Sequence, residues 1–207
     1  MIQTQWGYTI TDADALTPML TEADFNAMTA NKYAGDARIT PALAAACAAV
    51  RNFCGWHVYP AQSCTLTERI MMGNGRVKRS GPDLLIQLPA AFVSAVTSVT
   101  LDDVAHEDFD LAPNGILTLF DVRFSTRRTR ITVAYTAGIP AGMMDGLKDL
   151  IAGRVTHALA QPYGVQSESA GGVSITYSAS WAASASATAL PDDNRETLEP
   201  YRVRGVF

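Results

Sequence analysis

The chain has few cysteines and little charge. Its 207 residues include only three cysteines, Cys47, Cys54 and Cys64. An odd number excludes a closed disulfide framework. Cys47 and Cys54 stand seven apart on an expected helix. At a rise of 1.5 Å per residue that separation is about 10 Å, too far to bridge. The cysteines read as small buried apolar residues. Charged residues make up 17 %, against roughly 25 % in an average soluble domain. The formal charge of −4 excludes a protein that coats nucleic acid through bulk positive charge. No apolar run has the length of a membrane span. The opening residues MIQTQWGYTITDAD have neither a basic region nor an apolar stretch, so they do not read as a signal peptide.

Alanine is what the chain has in quantity. Hydrophobic residues reach 48 %, and 32 of them are alanine. Basic charge is carried by 13 Arg against 3 Lys. Low charge with abundant Ala and Thr leaves much surface that need not face water alone, as in an assembly subunit.

Local patterns define the elements. Thr21-Glu22-Ala23-Asp24 resembles a capping box, and Leu20 with Phe25 forms a hydrophobic staple. A helix over 21–30 follows, then a loop over 31–39. A second helix, 40–54, is capped by Thr40 with Pro41 at its first position. Leu43, Ala46, Cys47, Val50 and Cys54 recur on one stripe, and Gly55 stops the helix. From there the period changes to two. Alternation at Cys64–Ile70, Leu84–Leu88 and Ile131–Tyr135, a Val/Thr-rich run at Val93–Leu101 and a short strand at 116–120 make residues 56–137 an antiparallel β-unit. Asn74-Gly75 and Asn114-Gly115 are turn signals. Residues 102–110 read as an acidic loop. Helical spacing returns over 141–160, with Leu147, Leu150, Ile151, Val155, Ala158 and Leu159 on one stripe. Val173, Ile175 and Tyr177 alternate as one more strand. Residues 178–189 contain only Ser, Ala, Thr and one Trp and read as an extended arm. Pro191-Asp192-Asp193 can start a short helix that ends at Pro200.

The expected fold class is α+β: a small helical core (helices near 21–30, 40–54 and 141–160), an inserted antiparallel β-unit and an extended C-terminal arm. One domain is expected. Its parts are an N-terminal and helical segment (1–55), the β-rich insertion (56–138), the long core helix (139–165) and a strand plus arm (166–207).

Residues of the kinds that do chemistry are present but unassembled. Cys54-x-x-His57 has ligand-like spacing, yet no second such pair follows, so core cysteines and a histidine at a helix exit are the better reading. Gly73-Asn74-Gly75 lacks the rest of any phosphate-binding fingerprint. No Gly-x-Ser-x-Gly elbow occurs. His157 lies near a helix end, where a cation suits the dipole. His106, Asp102, Asp103, Glu107, Asp108 and Asp110 share the acidic loop, with nothing to position a carboxylate pair. Arg123, Arg127, Arg128 and Arg130 form a cluster that can touch phosphate or pair with an acidic neighbour; a solvated hairpin face is the plain alternative. No catalytic residue, cofactor or metal is expected.

The order of the segments carries a resemblance. ITPALAAACAAVRNFCGWHVYP at 39–60 resembles the opening of the head–tail connector (adaptor) proteins of long-tailed bacteriophages. There an Ala-rich helix runs into a Cys-Gly-Trp turn and a strand ending in Pro. LLIQLPAAFVSAVTSVTLDD at 84–103 is similar to that family's strand, Leu-Pro and Val-x-x-Val segment. FDLAPNGILTL at 109–119, ITVAYTAGIP at 131–140, GGVSITYSAS at 171–180 and LEPYRV at 198–203 match its later pieces in order. The chain departs from the small all-helical members by its β-insertion.

The resemblance implies a non-enzymatic virion protein, assembled in the host bacterial cytoplasm and placed at the head–tail interface. It implies a ring of twelve copies under the portal protein that extends the DNA channel and offers a platform to a stopper or tail terminator. Packaged DNA would pass without sequence-specific binding, and no membrane is involved. On this reading the segment 178–207 docks on the portal, with Trp181, Leu198, Tyr201, Arg202 and Phe207 as anchors. Arg123, Arg127, Arg128 and Arg130, with Asp102, Asp103 and Asp108, face a neighbouring subunit or the lumen. The rival readings are a tail-side structural protein, disfavoured by the Ala-rich helix, and a small enzyme.

Overall fold

A computed structural model describes residues 1–11, 16–70, 76–122, 129–160, 167–170, 173–176 and 192–203. The turn at Asn74-Gly75, the arm 178–189 with Trp181, the arginines 123, 127 and 128, and Phe207 lie outside the described residues. The fold is α+β, as expected. It divides into two compact units, one built from Met1–Thr17, Cys54–Ala141 and Tyr201–Phe207, the other from Pro18–Phe53 and Gly142–Pro200.

The second unit holds the helices: α1 (Glu22–Met28), α2 (Ile39–Cys54, whose last residue already belongs to the first unit), α3 (Asp145–Ala160) and α4 (Asp192–Leu198). Thr21 caps α1, its hydroxyl accepting from the Asp24 N–H at 3.1 Å. Leu20 and Phe25 are both buried, as a staple requires. Helix α2 starts at Ile39, one residue before the expected cap. The Ile39 N–H is already satisfied by the Asp36 carbonyl at 3.0 Å. Thr40 therefore does not cap, and its hydroxyl donates to Glu22 Oε2 at 2.9 Å. Pro41 is tolerated because the first-turn N–H groups have no intrahelical acceptor. Leu43, Ala46, Cys47 and Val50 are buried while Pro41, Ala44 and Ala48 are exposed, so the predicted stripe is the inner face.

Helix α3 begins at Asp145 rather than 141, because Ala141–Met143 form a 3-10 turn. It buries Leu147, Ile151, Val155 and Leu159, whereas Ala158 of the expected stripe is exposed. His157 is not the expected cation: partial burial pushes its pKa below the usual histidine value and favours the neutral ring. Strands β11 (Ser167–Ala170) and β12 (Val173–Thr176) form an antiparallel ribbon.

The first unit is the β-unit. Its six-stranded sheet has the order β1 (Ile2–Gln3), β2 (Tyr8–Ile10), β3 (Gln62–Arg69), β10 (Arg130–Ala137), β6 (Val93–Leu101), β7 (Val104–Ala105). A four-stranded sheet has the order β4 (Val77–Ser80), β5 (Asp83–Gln87), β9 (Ile116–Leu119), β8 (Phe109–Leu111). All pairs are antiparallel. β3 and β10 pair along their whole length, Gln62 opposite Ala137 and Arg69 opposite Arg130. The alternation read in β10 is real: Ile131, Val133, Tyr135 and Ala137 are buried and the residues between them are not. Gly115 takes φ +76° in the turn before β9, which glycine adopts without strain. A Cβ at Gly138 would stand 2.3 Å from the Ala61 Cα, so only glycine fits where β10 leaves the sheet.

The acidic loop expected over 102–110 contains structure. Asp102 and Asp103 take φ +48° and +67°, the left-handed pair of a two-residue hairpin turn, and lead from β6 into β7. Asp110 lies on the edge strand β8. A charged turn joined to strands of only two and three residues has a loop's composition, and edges this short resist further pairing.

Candidate interaction surfaces

A buried cluster forms where α2 ends. Gly55, at φ +77°, turns the chain, and Trp56 and His57 then point inward, both 0 % exposed. His57 Nε2 lies 2.9 Å from the Ala137 carbonyl and 3.1 Å from the Pro60 carbonyl. Carbonyls only accept, so Nε2 carries the proton. The Tyr8 hydroxyl stands 2.7 Å from Nδ1 and accepts the His57 backbone N–H at 2.9 Å, so it gives its own proton to Nδ1. The neutral ring thus ties β2, the end of β10 and the chain after α2 together, with each polar group partnered.

The same cluster receives the C-terminal segment. Trp56 Nε1 donates to the Tyr201 carbonyl at 2.7 Å, and the Val203 N–H donates to the Cys54 carbonyl at 2.9 Å. The Phe92 ring is stacked between Trp56, at 6.3 Å, and Tyr201, at 6.0 Å. Tyr201 is therefore engaged in its own chain. Leu198 is fully buried and so is not exposed as an anchor for a partner. Arg202 is exposed.

At the opposite end of the six-stranded sheet lie the acidic groups. Arg130 Nη2 meets Asp103 Oδ2 at 3.1 Å, and the Arg130 N–H donates to Asp102 Oδ1 at 2.8 Å. These residues, expected between subunits or at the lumen, join within one chain. The pair is exposed, and such pairs contribute roughly 0–1 kcal/mol. His106 Nε2 donates to the Asp108 carbonyl at 2.9 Å, a loop contact. Between the two ends, the outer edge of β6 has no strand beside it over 93–99 among the described residues. Its pairing with β10 skips Thr97 and Ser94, and those bulges twist the edge and blunt it against further pairing.

Among the described residues no group of His, Cys, Asp and Glu is placed to hold a metal ion, and no helix is long and apolar enough to cross a membrane. Burial pushes the Cys64 thiol up to about 12 from its ordinary 9.0 and raises the Tyr135 hydroxyl as well. An acid whose folded pKa is raised stabilises the fold fully below its unfolded value, and that contribution is lost as pH climbs toward the folded value. Urea midpoints are therefore expected to hold up to pH 9 and fall between 9 and 12. At pH 8 native Cys64 should resist a thiol reagent that labels it after unfolding. Rapid native labelling of Cys64 would contradict this burial.

Sequence reasoning missed the cluster at His57 and the return of residues 201–203, because neither partner carries a local signal for the other. The tryptophan and histidine after the helix were the only clue.

No curated protein matches the chain. The family model of the head completion proteins matches residues 18–203, spanning the helices described above and the two larger sheets apart from β1 and β2. The chain therefore belongs to the head completion protein family of phages, structural proteins of the virion head.

Proposed function

We propose that this head completion protein is a head-to-tail adaptor. Copies form a ring, expected to hold twelve, that docks under the portal, extends the DNA channel and offers a platform to a stopper or tail terminator. The observation that supports this reading is the family match over 18–203. Portal contact falls to the arm 178–189 with Trp181 and to the exposed Arg202, since Leu198 is buried and Tyr201 is engaged at Phe92. Alternating small residues and one large ring suit an extended segment laid on a partner's surface. Arg123, Arg127 and Arg128 line the channel, where contact with phosphate is electrostatic and independent of base sequence. Arg130 already meets Asp103 in the same chain.

Negative-stain images of the purified chain with and without purified portal test the reading. Rings of about twelvefold symmetry capping the portal are expected, and deletion of 178–189 should abolish capping while leaving the rings. A chain that neither assembles nor binds portal overturns the proposal.

A further inference from the structure

The acidic end of the six-stranded sheet carries a groove of about 350 Å³. That is the low end of the range for ligand pockets, sized for one or two side chains. Leu101, Val104 and Val122 give it apolar walls, and Asp102 and Asp121 give it charge. Val104 is 69 % exposed, although it follows a rigid hairpin turn that could as readily present a polar residue. Neither Asp102 nor Asp121 has an ion pair among the described residues. An occupant that complements this groove brings an apolar side chain and a positive charge.

The residues after Val203 have that chemistry: Arg204-Gly205-Val206-Phe207. Val203 is held at Cys54, next to the Trp56–Phe92–Tyr201 stack that precedes β6. The groove begins at Leu101, where β6 ends. A nine-residue strand spans roughly 26 Å at 3.3 Å per residue. Four extended residues reach at most about 14 Å. That is little more than half the strand, which favours the groove of a neighbouring copy.

We infer that Arg204 and Phe207 of one copy occupy the groove between Val104 and Asp121 of the next, the aromatic ring on the apolar wall and the guanidinium toward the two carboxylates. This rests on the adaptor reading and gives its ring a contact. The two faces differ, so the contact is heterologous, and its repetition closes a ring or propagates a filament.

Two variants test it by complementation. One carries Arg204→Glu with Phe207→Ala; the other carries Val104→Lys with Asp121→Lys. Analytical ultracentrifugation should find each alone at least tenfold weaker in self-association than wild type. Mixed in equal amounts they should give a 1:1 heterodimer, because the intact segment of the second meets the intact groove of the first. Near-UV circular dichroism checks folding, and Val104→Lys alone replaces the groove variant if it departs from wild type. Variants that assemble like wild type, or a mixture that yields no heterodimer, overturn the inference while leaving the ring standing. A wild-type chain that stays monomeric removes both.

Discussion

Replacement of His57 by leucine is expected to lower folding stability by about 3–5 kcal/mol, a large part of the roughly 5–15 kcal/mol of a typical domain. Leucine fills much of the ring's volume, so lost packing is the smaller part. The larger part is polar. The Tyr8 hydroxyl loses the acceptor for its proton, and the Ala137 and Pro60 carbonyls lose the Nε2 donor that now lies 2.9 and 3.1 Å away. Each buried group left unpaired costs about 1–3 kcal/mol. The shared network also couples the two side chains. Tyr8→Phe removes one of the orphaned groups, so the double variant His57→Leu, Tyr8→Phe should be destabilised by less than the sum of the single changes. Urea denaturation followed by fluorescence measures all three. A loss below 1 kcal/mol for His57→Leu, or strict additivity of the pair, would show that the network is not what holds this junction.

Much of the architecture is legible in the sequence because it is local. Helix α2 combines a 3.6-residue stripe, a tolerated proline and a terminal glycine, and nothing in its tertiary setting opposes them. β3, β10 and β5 are half-buried strands whose period-two pattern states which face turns inward. Boundaries drift where two local solutions compete: at Thr40 a side-chain cap loses to the backbone turn from Asp36, and before Asp145 a 3-10 turn takes the first residues of the expected helix.

The partition of the strands is not legible. β3 pairs with β10, 61 residues away at Arg69–Arg130 and 75 at Gln62–Ala137, and β4, β5, β8 and β9 leave for a second sheet. Alternation tells that a residue faces a core, not which core. β1, β2, β7 and β8 are too short to show a period at all. The interaction surfaces divide the same way. Charge separation between an acidic stretch and an arginine-rich one is visible in the sequence, but the closure of Arg130 on Asp103 within one chain is visible only once β6 and β10 are side by side. Leu198, expected as an anchor of the C-terminal segment, is buried instead, because a short polar helix can still bury one face through a single apolar residue.

Trp56→Ala is expected to cost about 3–5 kcal/mol, the range for removing a fully buried large aromatic side chain from a core. For a chain of this size that corresponds to a fall in Tm of roughly 10–15 °C. The ring is 0 % exposed, stacks on Phe92 at an interplanar angle of 14° and meets the His57 ring edge-on at 5.4 Å. Its loss also removes the donor to the Tyr201 carbonyl and the far side of the stack that holds the Tyr201 ring on Phe92. Of the contacts described above, the segment should then keep only the Val203–Cys54 hydrogen bond and a Phe92–Tyr201 stack open on its far side, and limited proteolysis should cut near Arg202 at conditions that leave wild type intact. Trp56→Phe separates the two effects. It keeps most of the apolar volume and the stacking, deletes the 2.7 Å hydrogen bond, and should cost about 1 kcal/mol in stability while still speeding cleavage at Arg202. If the segment's position at Cys54 is what carries residues 204–207 to a neighbouring copy, Trp56→Phe should also weaken self-association several-fold with little change in Tm. Equal losses of stability and association in that variant would instead make Trp56 a core residue and nothing more.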